Sequence, residues 1–308
     1  MSKAKITVVG SSNTDMIIKM DKIPVPGETV LGGEFSIAAG GKGANQAVGA
    51  ARAGGKVTLV ACVGNDMFGR QAVDGFAADK INIDYLFTNK KTASGVALIF
   101  VDKKGENSIA VASGANYKLT PKHIARAKKA IKNAQILVMQ LETQLDTVSA
   151  AAKLARKHGV KVILNPAPAQ PLGDDLLGNI SILTPNETET ELLTGIKVHD
   201  KASAGQASEI LLEKGMEAVL ITLGARGVFM ATREIRKTVP AFKVKAVDST
   251  AAGDIFNGAL AVALSEGNSL EDAVRFANAA GALSVTRLGA QPSAPRRKEI
   301  ENFIKNHK

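Results

Sequence analysis

Short apolar runs alternate with amphipathic helical stretches along most of the chain, and this alternation restricts the fold more than any other feature. Ile6 to Val9 reads as a buried strand. Ala44, Ala47, Val48 and Ala51 then recur at i, i+3, i+4 and i+7, the spacing that lines one face of a helix. A second strand spans Val57 to Val63, and Asp66 stands where an N-cap would open a helix over Phe68 to Ala78. Ile136 to Met139, Thr147 to Arg156 and Val160 to Leu164 read as strand, helix, strand, and Ala202 to Lys214 with Ala218 to Thr222 continues the series. Strands joined through helices pair in parallel, so the pattern predicts a mostly parallel sheet covered by helices on both faces.

Two stretches interrupt the rhythm. Thr29 to Ala38 reads as extended. Val96, Leu98 and Phe100 alternate up to the turn Lys103-Lys104-Gly105-Glu106, after which Ile109 and Val111 alternate again, a hairpin pattern. Inserted strands of this kind predict a small β-layer beside the main sheet, with an antiparallel edge on that sheet as the other reading of the same periodicity. The last third is helical: Phe256, Ala259, Leu260 and Ala263 share one face, as do Ala273, Phe276, Ala277 and Ala280, and a further helix covers Lys298 to Lys305. Small residues here let helices approach each other, or a nucleotide, closely.

Composition excludes several classes. With 308 residues, 45% of them hydrophobic, the chain has material for a large core, and its lone Cys62 rules out an internal disulfide and reads as a core residue. The start carries no signal-peptide pattern and no apolar run reaches membrane-spanning length, so the expected location is cytoplasmic, with no membrane partner. The formal charge of +10 invites a nucleic-acid reading, but the basic residues are dispersed, aromatics are 4% and Trp is absent. A surface that favours anionic substrates is the better expectation, with no nucleic-acid partner. His123, His158, His199 and His307 are scattered away from the lone cysteine, which predicts no zinc site, and no nucleophile elbow is present.

Two segments carry chemistry. Gly40-Gly41-Lys42-Gly43-Ala44-Asn45-Gln46 is a glycine-rich turn opening a helix, where backbone amides can approach a ligand. It is not a Walker A loop, because Gly43 stands where Ser or Thr belongs, and taken alone it could be a structural turn. In the second, Asp248-Ser249-Thr250-Ala251-Ala252-Gly253-Asp254, small residues lead into the helix of Phe256 and Ala259, so amides at 251 to 254 can converge on a phosphate. Asp254 could serve only as a favourable charge at a helix start, but that role does not call for the Ala-Ala-Gly run. A phosphate-cradling turn carrying its own base accounts for both.

These two segments resemble the signatures of the ribokinase family of carbohydrate kinases. The likeness extends to Ser12-Asn13-Thr14-Asp15, Pro26-Gly27-Glu28-Thr29, Gly95-Val96-Ala97, Asn165-Pro166-Ala167-Pro168-Ala169, Thr184-Pro185-Asn186-Glu187, Thr222-Leu223-Gly224-Ala225-Arg226-Gly227 and Gly289-Ala290-Gln291-Pro292-Ser293, in family order over nearly the whole chain. Ser249 and Ile255 depart from the Thr common in the family without removing a catalytic group.

The resemblance implies one α/β domain over 1–308, a three-layer α/β/α sandwich with a mostly parallel sheet. Lid strands would be inserted near 14–40 and 93–113, and the lid would pair two subunits into a homodimer. It implies phosphorylation of the D-ribose 5-hydroxyl by ATP, with Asp254 as base and the turn Ala251, Ala252, Gly253 stabilising charge. Sugar contacts would fall on Asn13, Asp15, Gly41, Lys42, Gly43, Asn45, Glu142 and Asp254. Glu142 also follows the apolar strand Ile136 to Leu141, and ligands bind at the carboxyl ends of parallel strands. ATP contacts would fall on Asn186, Thr222, Leu223, Gly224, Ala225, Arg226, Gly227, Gly253 and Asn278. Asn186 and Glu189 would position Mg2+ through water, although Glu189 alone also reads as a helix-surface carboxylate. A K+ site would fall on Asp248, Thr250, Ser284, Arg287, Gly289 and Ser293. The alternatives are a kinase of deoxyribose, fructose or adenosine, and a sugar-binding regulator without catalysis.

Overall fold

The computed structural model describes residues 4–307. In chain order, β1 (Lys5–Val9), β2 (Asn13–Lys19) and β3 (Glu34–Gly40) precede α1 (Lys42–Arg52), and β4 (Lys56–Gly64), α2 (Met67–Ala78) and β5 (Asn82–Asn89) follow. β6 (Gly95–Val101) and β7 (Asn107–Ala112) lead through a 3-10 turn (Gly114–Lys118) to α3 (Pro121–Arg126), α4 (Lys128–Lys132) and β8 (Ile136–Met139). Next come α5 (Leu145–Lys157), β9 (Lys161–Leu164), α6 (Asp174–Leu177), β10 (Ile182–Leu183), α7 (Glu187–Thr194), α8 (Lys201–Leu212) and β11 (Ala218–Thr222). The strands β12 (Val228–Ala231) and β13 (Arg236–Val239) and the helices α9 (Ala252–Ser265), α10 (Leu270–Ser284) and α11 (Arg297–Asn306) complete the chain.

The main sheet has nine strands in the order β13-β12-β11-β10-β9-β8-β1-β4-β5. Every neighbouring pair from β11 across to β5 is parallel, and β12 and β13 form an antiparallel edge. Apart from the edge strands β5 and β13, which are only partly buried, the strands are apolar on both faces. Ile6, Val8, Leu59, Val138 and Leu220 point into one core with α1, α9 and α10, while Val9, Val60, Met139 and Ile221 point into the other with α5 and α8. Burial on both sides is why these strands read as continuous apolar runs, and each fully buried Leu, Ile or Val contributes roughly 1.5–3 kcal/mol. Cys62 lies in the second core, where burial pushes its thiol up to about 11.

A four-stranded sheet, β3-β2-β6-β7, stands apart from the main one. The interrupting stretches therefore form a separate layer, not an edge of the main sheet. The edge exists, but it comes from β12 and β13. The stretch expected to be extended from Thr29 to Ala38 pairs only from Glu34 onward. Asp66 caps α2 as expected, accepting from Gly69 N at 2.8 Å. Among the described residues no helix is long and apolar enough to cross a membrane.

Candidate active site

The chain moves outward from β1 in both directions, through β4 and β5 on one side and β8 to β11 on the other. The neighbours β1 and β8 thus mark a topological switch point, and the crevice beyond their carboxyl ends is where such sheets bind ligands. Gly10 to Ser12 leave β1 there, and Gln140 to Glu142 leave β8. A side chain on Gly10 would overlap Gln140 Oε1, so the two strand ends close together only over glycine.

The start of α1 is stitched into this crevice. Glu142 Oε2 accepts from Ser11 Oγ and from Lys42 N, the latter at 2.9 Å. Gly43 N donates to Ser11 Oγ and Ala44 N to Ser11 O, at 3.2 and 2.8 Å. Asn45 N donates to Gly41 O at 2.9 Å. The amides of residues 42 to 45 are therefore engaged inside the protein, and of this turn only Gly41 N remains open among the described residues. Gly41 has φ 86°, and a Cβ there would lie 2.6 Å from Asn13 N, so the turn needs glycine for close packing.

The side chains supply the chemistry. Asp15, on β2, lies over Gly40; burial, then Glu142 and Asp254, push its carboxyl up to about 6, against the pull of Lys42. For the Lys42 ammonium, burial works against the charge, but Asp254, Glu142, Glu189 and Asp15 outweigh it and hold the pKa above its usual value. Asn45 Oδ1 is buried without a hydrogen-bond partner among the described residues, an acceptor left for a ligand.

Asp254 sits in the first turn of α9, 5% exposed. Its Oδ2 accepts from Asn45 Nδ2 and its Oδ1 from Gln46 Nε2, both at 3.0 Å. Burial pushes its pKa up; Lys42 and the two amides oppose that shift, and Glu142 adds to it. The helix opens through Ala251, a non-glycine residue at φ 59°. Ala252 N donates to Ser249 O at 3.2 Å, whereas the N–H groups of Ala251, Gly253 and Asp254 meet no acceptor among the described residues. A cavity of about 210 Å3 opens beside them, lined by Lys42, Asn186, Glu189, Thr222, Gly253 and Asp254 among others. A larger one, about 360 Å3, lies at the opposite end of the sheet by Lys5, Lys56 and Asn82, far from this constellation of buried carboxylates and amides.

The remaining expected residues divide. Asn186 caps α7 in a reciprocal box with Glu189: its N–H donates to Glu189 Oε2 at 2.8 Å, and Glu189 N donates to Asn186 Oδ1 at 2.8 Å. Burial raises the pKa of Glu189. Thr222 bridges to Asn186, but Leu223, Gly224, Ala225, Arg226 and Gly227 continue beyond the cavity wall. Arg226 pairs with Glu187 and donates to His199 O. Gly227 packs against Val239 and Pro240, whereas Gly224 faces open space. Asn278 gives its amide hydrogens to Val239 O and Pro240 O, at 3.3 and 3.1 Å. Asp248 joins two loops, accepting from Thr250 N at 2.9 Å and Gly289 N at 2.8 Å. Ser284 and Ser293 donate to nearby carbonyls, and Arg287 pairs with Glu299.

Sequence reasoning missed the polar residues behind Asp254. Gln46 Nε2 also donates to Asn165 Oδ1 at 3.2 Å, and Gln46 Oε1 accepts from Gln140 Nε2 at 2.6 Å. Thr184 Oγ1 donates to Asn257 Oδ1 at 2.7 Å, and Asn257 Nδ2 to Gly253 O at 2.8 Å. One signal was available, since Gln140 interrupts the apolar run between Met139 and Leu141.

Residues 3–297 match the model of the pfkB family of carbohydrate kinases. The chain is 47% identical over 301 residues to a ribokinase of Haemophilus influenzae, covering 98% of each chain. It is 39% identical over 300 residues to a deoxyribokinase of Salmonella typhi, covering 97% of this chain and 98% of that one. The solved structure of Arabidopsis thaliana ribokinase complexed with ribose and ATP superposes with a TM-score of 0.93 at 33% identity, covering 98% of this chain and 99% of that one.

Proposed function

The chain belongs to the pfkB family of carbohydrate kinases, and on that premise we propose that it transfers the γ-phosphate of ATP to the 5-hydroxyl of D-ribose, with Asp254 as base. The reaction is ATP-dependent phosphorylation of ribose. One observation carries the assignment of the base: a buried carboxylate, anchored by two side-chain amides, opens a helix beside unpaired backbone N–H groups and a cavity. Asn13, Asp15, Asn45, Glu142 and the open N–H of Gly41 bind the sugar hydroxyls, with Lys42 and Gly43 walling the site, and turn the acceptor oxygen toward Asp254. As that oxygen attacks the γ-phosphorus in line, its proton passes to the Asp254 carboxylate and the β–γ bridging bond breaks, releasing ADP. Burial raises the proton affinity of Asp254, which suits a base, and Lys42 beside it favours the ionised form at rest. The open amides of Ala251, Gly253 and Asp254, with Lys42, stabilise charge on the transferring group. ATP lies along Asn186, Thr222, the 223–227 loop, Gly253 and Asn278.

Among the described residues no three or more His, Cys, Asp or Glu side chains converge on a metal site, and both Glu189 oxygens already accept from Asn186. Such a donor set suits a hydrated Mg2+ held at Asn186 and Glu189 through water and phosphate, where it neutralises phosphate charge when bound. For K+ we propose Asp248, Thr250, Ser284, Arg287, Gly289 and Ser293, largely through carbonyls. Burial disfavours the Asp248 carboxylate, but hydrogen bonds from Thr250 and Gly289 hold its pKa below the usual range, and its oxygens keep lone pairs to spare.

In the small sheet, paired residues share a face. Asp15, Ala97 and Val111 lie on one side, and Met16, Ile37 and Leu98 on the other. The Asp15 face covers the sugar as a lid, excluding water during transfer. Phe35, Ile37 and Leu98 on the outer face are 63%, 50% and 45% exposed, an apolar patch that suits the lid of a second subunit. The chain's use of ATP supports a cytoplasmic location.

The test is a coupled ADP-release assay across ribose, 2-deoxyribose, fructose and adenosine. The expected result is the highest kcat/KM for ribose. Preference for deoxyribose would move the assignment to the other activity named among the relatives, and sugar binding without ADP release would make the chain a regulator.

A further inference from the structure

Asn116 lies on the 3-10 turn after β7 and is 1% exposed. Its Oδ1 accepts from Ser12 N at 2.9 Å, and its Nδ2 donates to Asn13 Oδ1 at 2.7 Å. A backbone N–H can only donate, so Ser12 fixes the Asn116 amide with its oxygen toward β1 and its hydrogens toward Asn13. Asn13 must then present its own oxygen to Asn116. The Nδ2 group of Asn13 is left without a hydrogen-bond partner among the described residues, on the face of β2 that Asp15 shares. Gly95, opposite Asn13 in the ladder, closes the arrangement: a Cβ there would overlap both Asn13 Oδ1 and Asn116 Nδ2.

We propose that Asn116 is a positioning residue for sugar recognition, locking Asn13 with its amide hydrogens toward the substrate. The proposal rests on the reading of Asn13 as a sugar contact. Asp15, Glu142, Asp254 and the unpaired Asn45 Oδ1 all offer acceptors, so a sugar hydroxyl that donates to one of them turns a lone pair elsewhere. Asn13 Nδ2 supplies the matching donor. A reversed Asn13 amide would place another acceptor there and leave the hydroxyl oxygen unmet.

The test is Asn116→Asp, which keeps the size of the side chain and the bond from Ser12 but sets an acceptor against Asn13 Oδ1. The Asn13 amide then turns over. The expected result is a rise in the ribose KM of roughly 10- to 100-fold, the loss expected for one hydrogen bond to a polar substrate, with kcat and the KM for ATP little changed. Preference for ribose over one monodeoxy analogue, 2-deoxyribose or 3-deoxyribose, should collapse, because that analogue lacks the hydroxyl Asn13 meets. In an Asn13→Ala background Asn116→Asp should add nothing further, whereas a merely structural role would lower every sugar alike and would add. If Asn116→Asp does not fold, Asn116→Ser releases the amide without adding charge and should give a smaller rise that also vanishes in the Asn13→Ala background. Unchanged ribose KM and analogue preference in a folded variant would overturn the role of Asn116. Absence of ribose turnover by the parent in the same assay would instead overturn the underlying assignment.

Discussion

Asp15 is the site carboxylate poised to titrate in an ordinary buffer range. Its pKa rises from 3.8 to about 6 because burial and the neighbouring Glu142 and Asp254 carboxylates disfavour the ion. Ribose affinity should therefore fall as pH drops through about 6 and Asp15 loses acceptor capacity; Asp15→Asn should flatten that limb in titration calorimetry. Linkage gives the matching stability effect. A folded-state pKa above the unfolded value means the folded chain binds the extra proton between about pH 4 and 6, so stability from this group falls as pH rises through that window. Asp15→Asn should thus be more stable than the parent at pH 7 by about 1–3 kcal/mol in denaturant unfolding, with the difference shrinking toward pH 4. Asp15, Asn45 and Asp254 were legible in the sequence because they sit inside motifs. Gln46, Gln140 and Asn116 escaped as site residues because a buried amide matters through its partner, and those partners lie 94 to 208 residues away or, for Asn116, 103.

At the scale of elements, the site depends on how closely α1 approaches α9. A Cβ on Gly258 would lie 2.6 Å from Ala50 N and Gln46 O, backbone atoms that cannot move aside alone. Gly258→Ala should force the helices apart, lowering stability by about 1–3 kcal/mol. Since α1 carries Asn45 and Gln46 and α9 carries Asp254, kcat should fall and the ribose KM should rise as Asn45 is displaced from Asp254; unfolding curves and steady-state kinetics check both. An unaltered kcat would mean that the crossing does not set the base. The parallel strands β1, β4, β8, β9 and β11 were readable because two-sided burial makes them largely apolar, whereas β5 is only half-buried and β10 is two residues long, and neither was read. β2, with Asn13 and Asp15 among its residues, and β13, with only Val239 buried, were not, because their pairing arises from neighbours rather than from their own hydrophobicity.

At the scale of the whole molecule, two sheets share one crevice: the parallel sheet brings Glu142 to it, α9 packed on that sheet brings Asp254, and the smaller sheet brings Asn13 and Asp15. The outer apolar face of that smaller sheet should pair two copies of the chain. Leu98→Lys should shift sedimentation from dimer to monomer, and a parent that sediments as a monomer at micromolar concentration would remove the interface. The alternation of strands and helices made most of the large sheet legible, whereas β12 and β13 escaped it because no α-helix separates them from β11 or from each other. The proposed reaction turns on one buried carboxylate, Asp254, beside the open amides of α9 and the side chains assigned to the sugar. The most direct test is Asp254→Asn, followed by ribose titration calorimetry and single-turnover phosphoryl transfer. Ribose should bind within a few-fold of the parent while transfer slows by ~10²–10⁴; transfer at near the parental rate would contradict the assignment of Asp254 as the base.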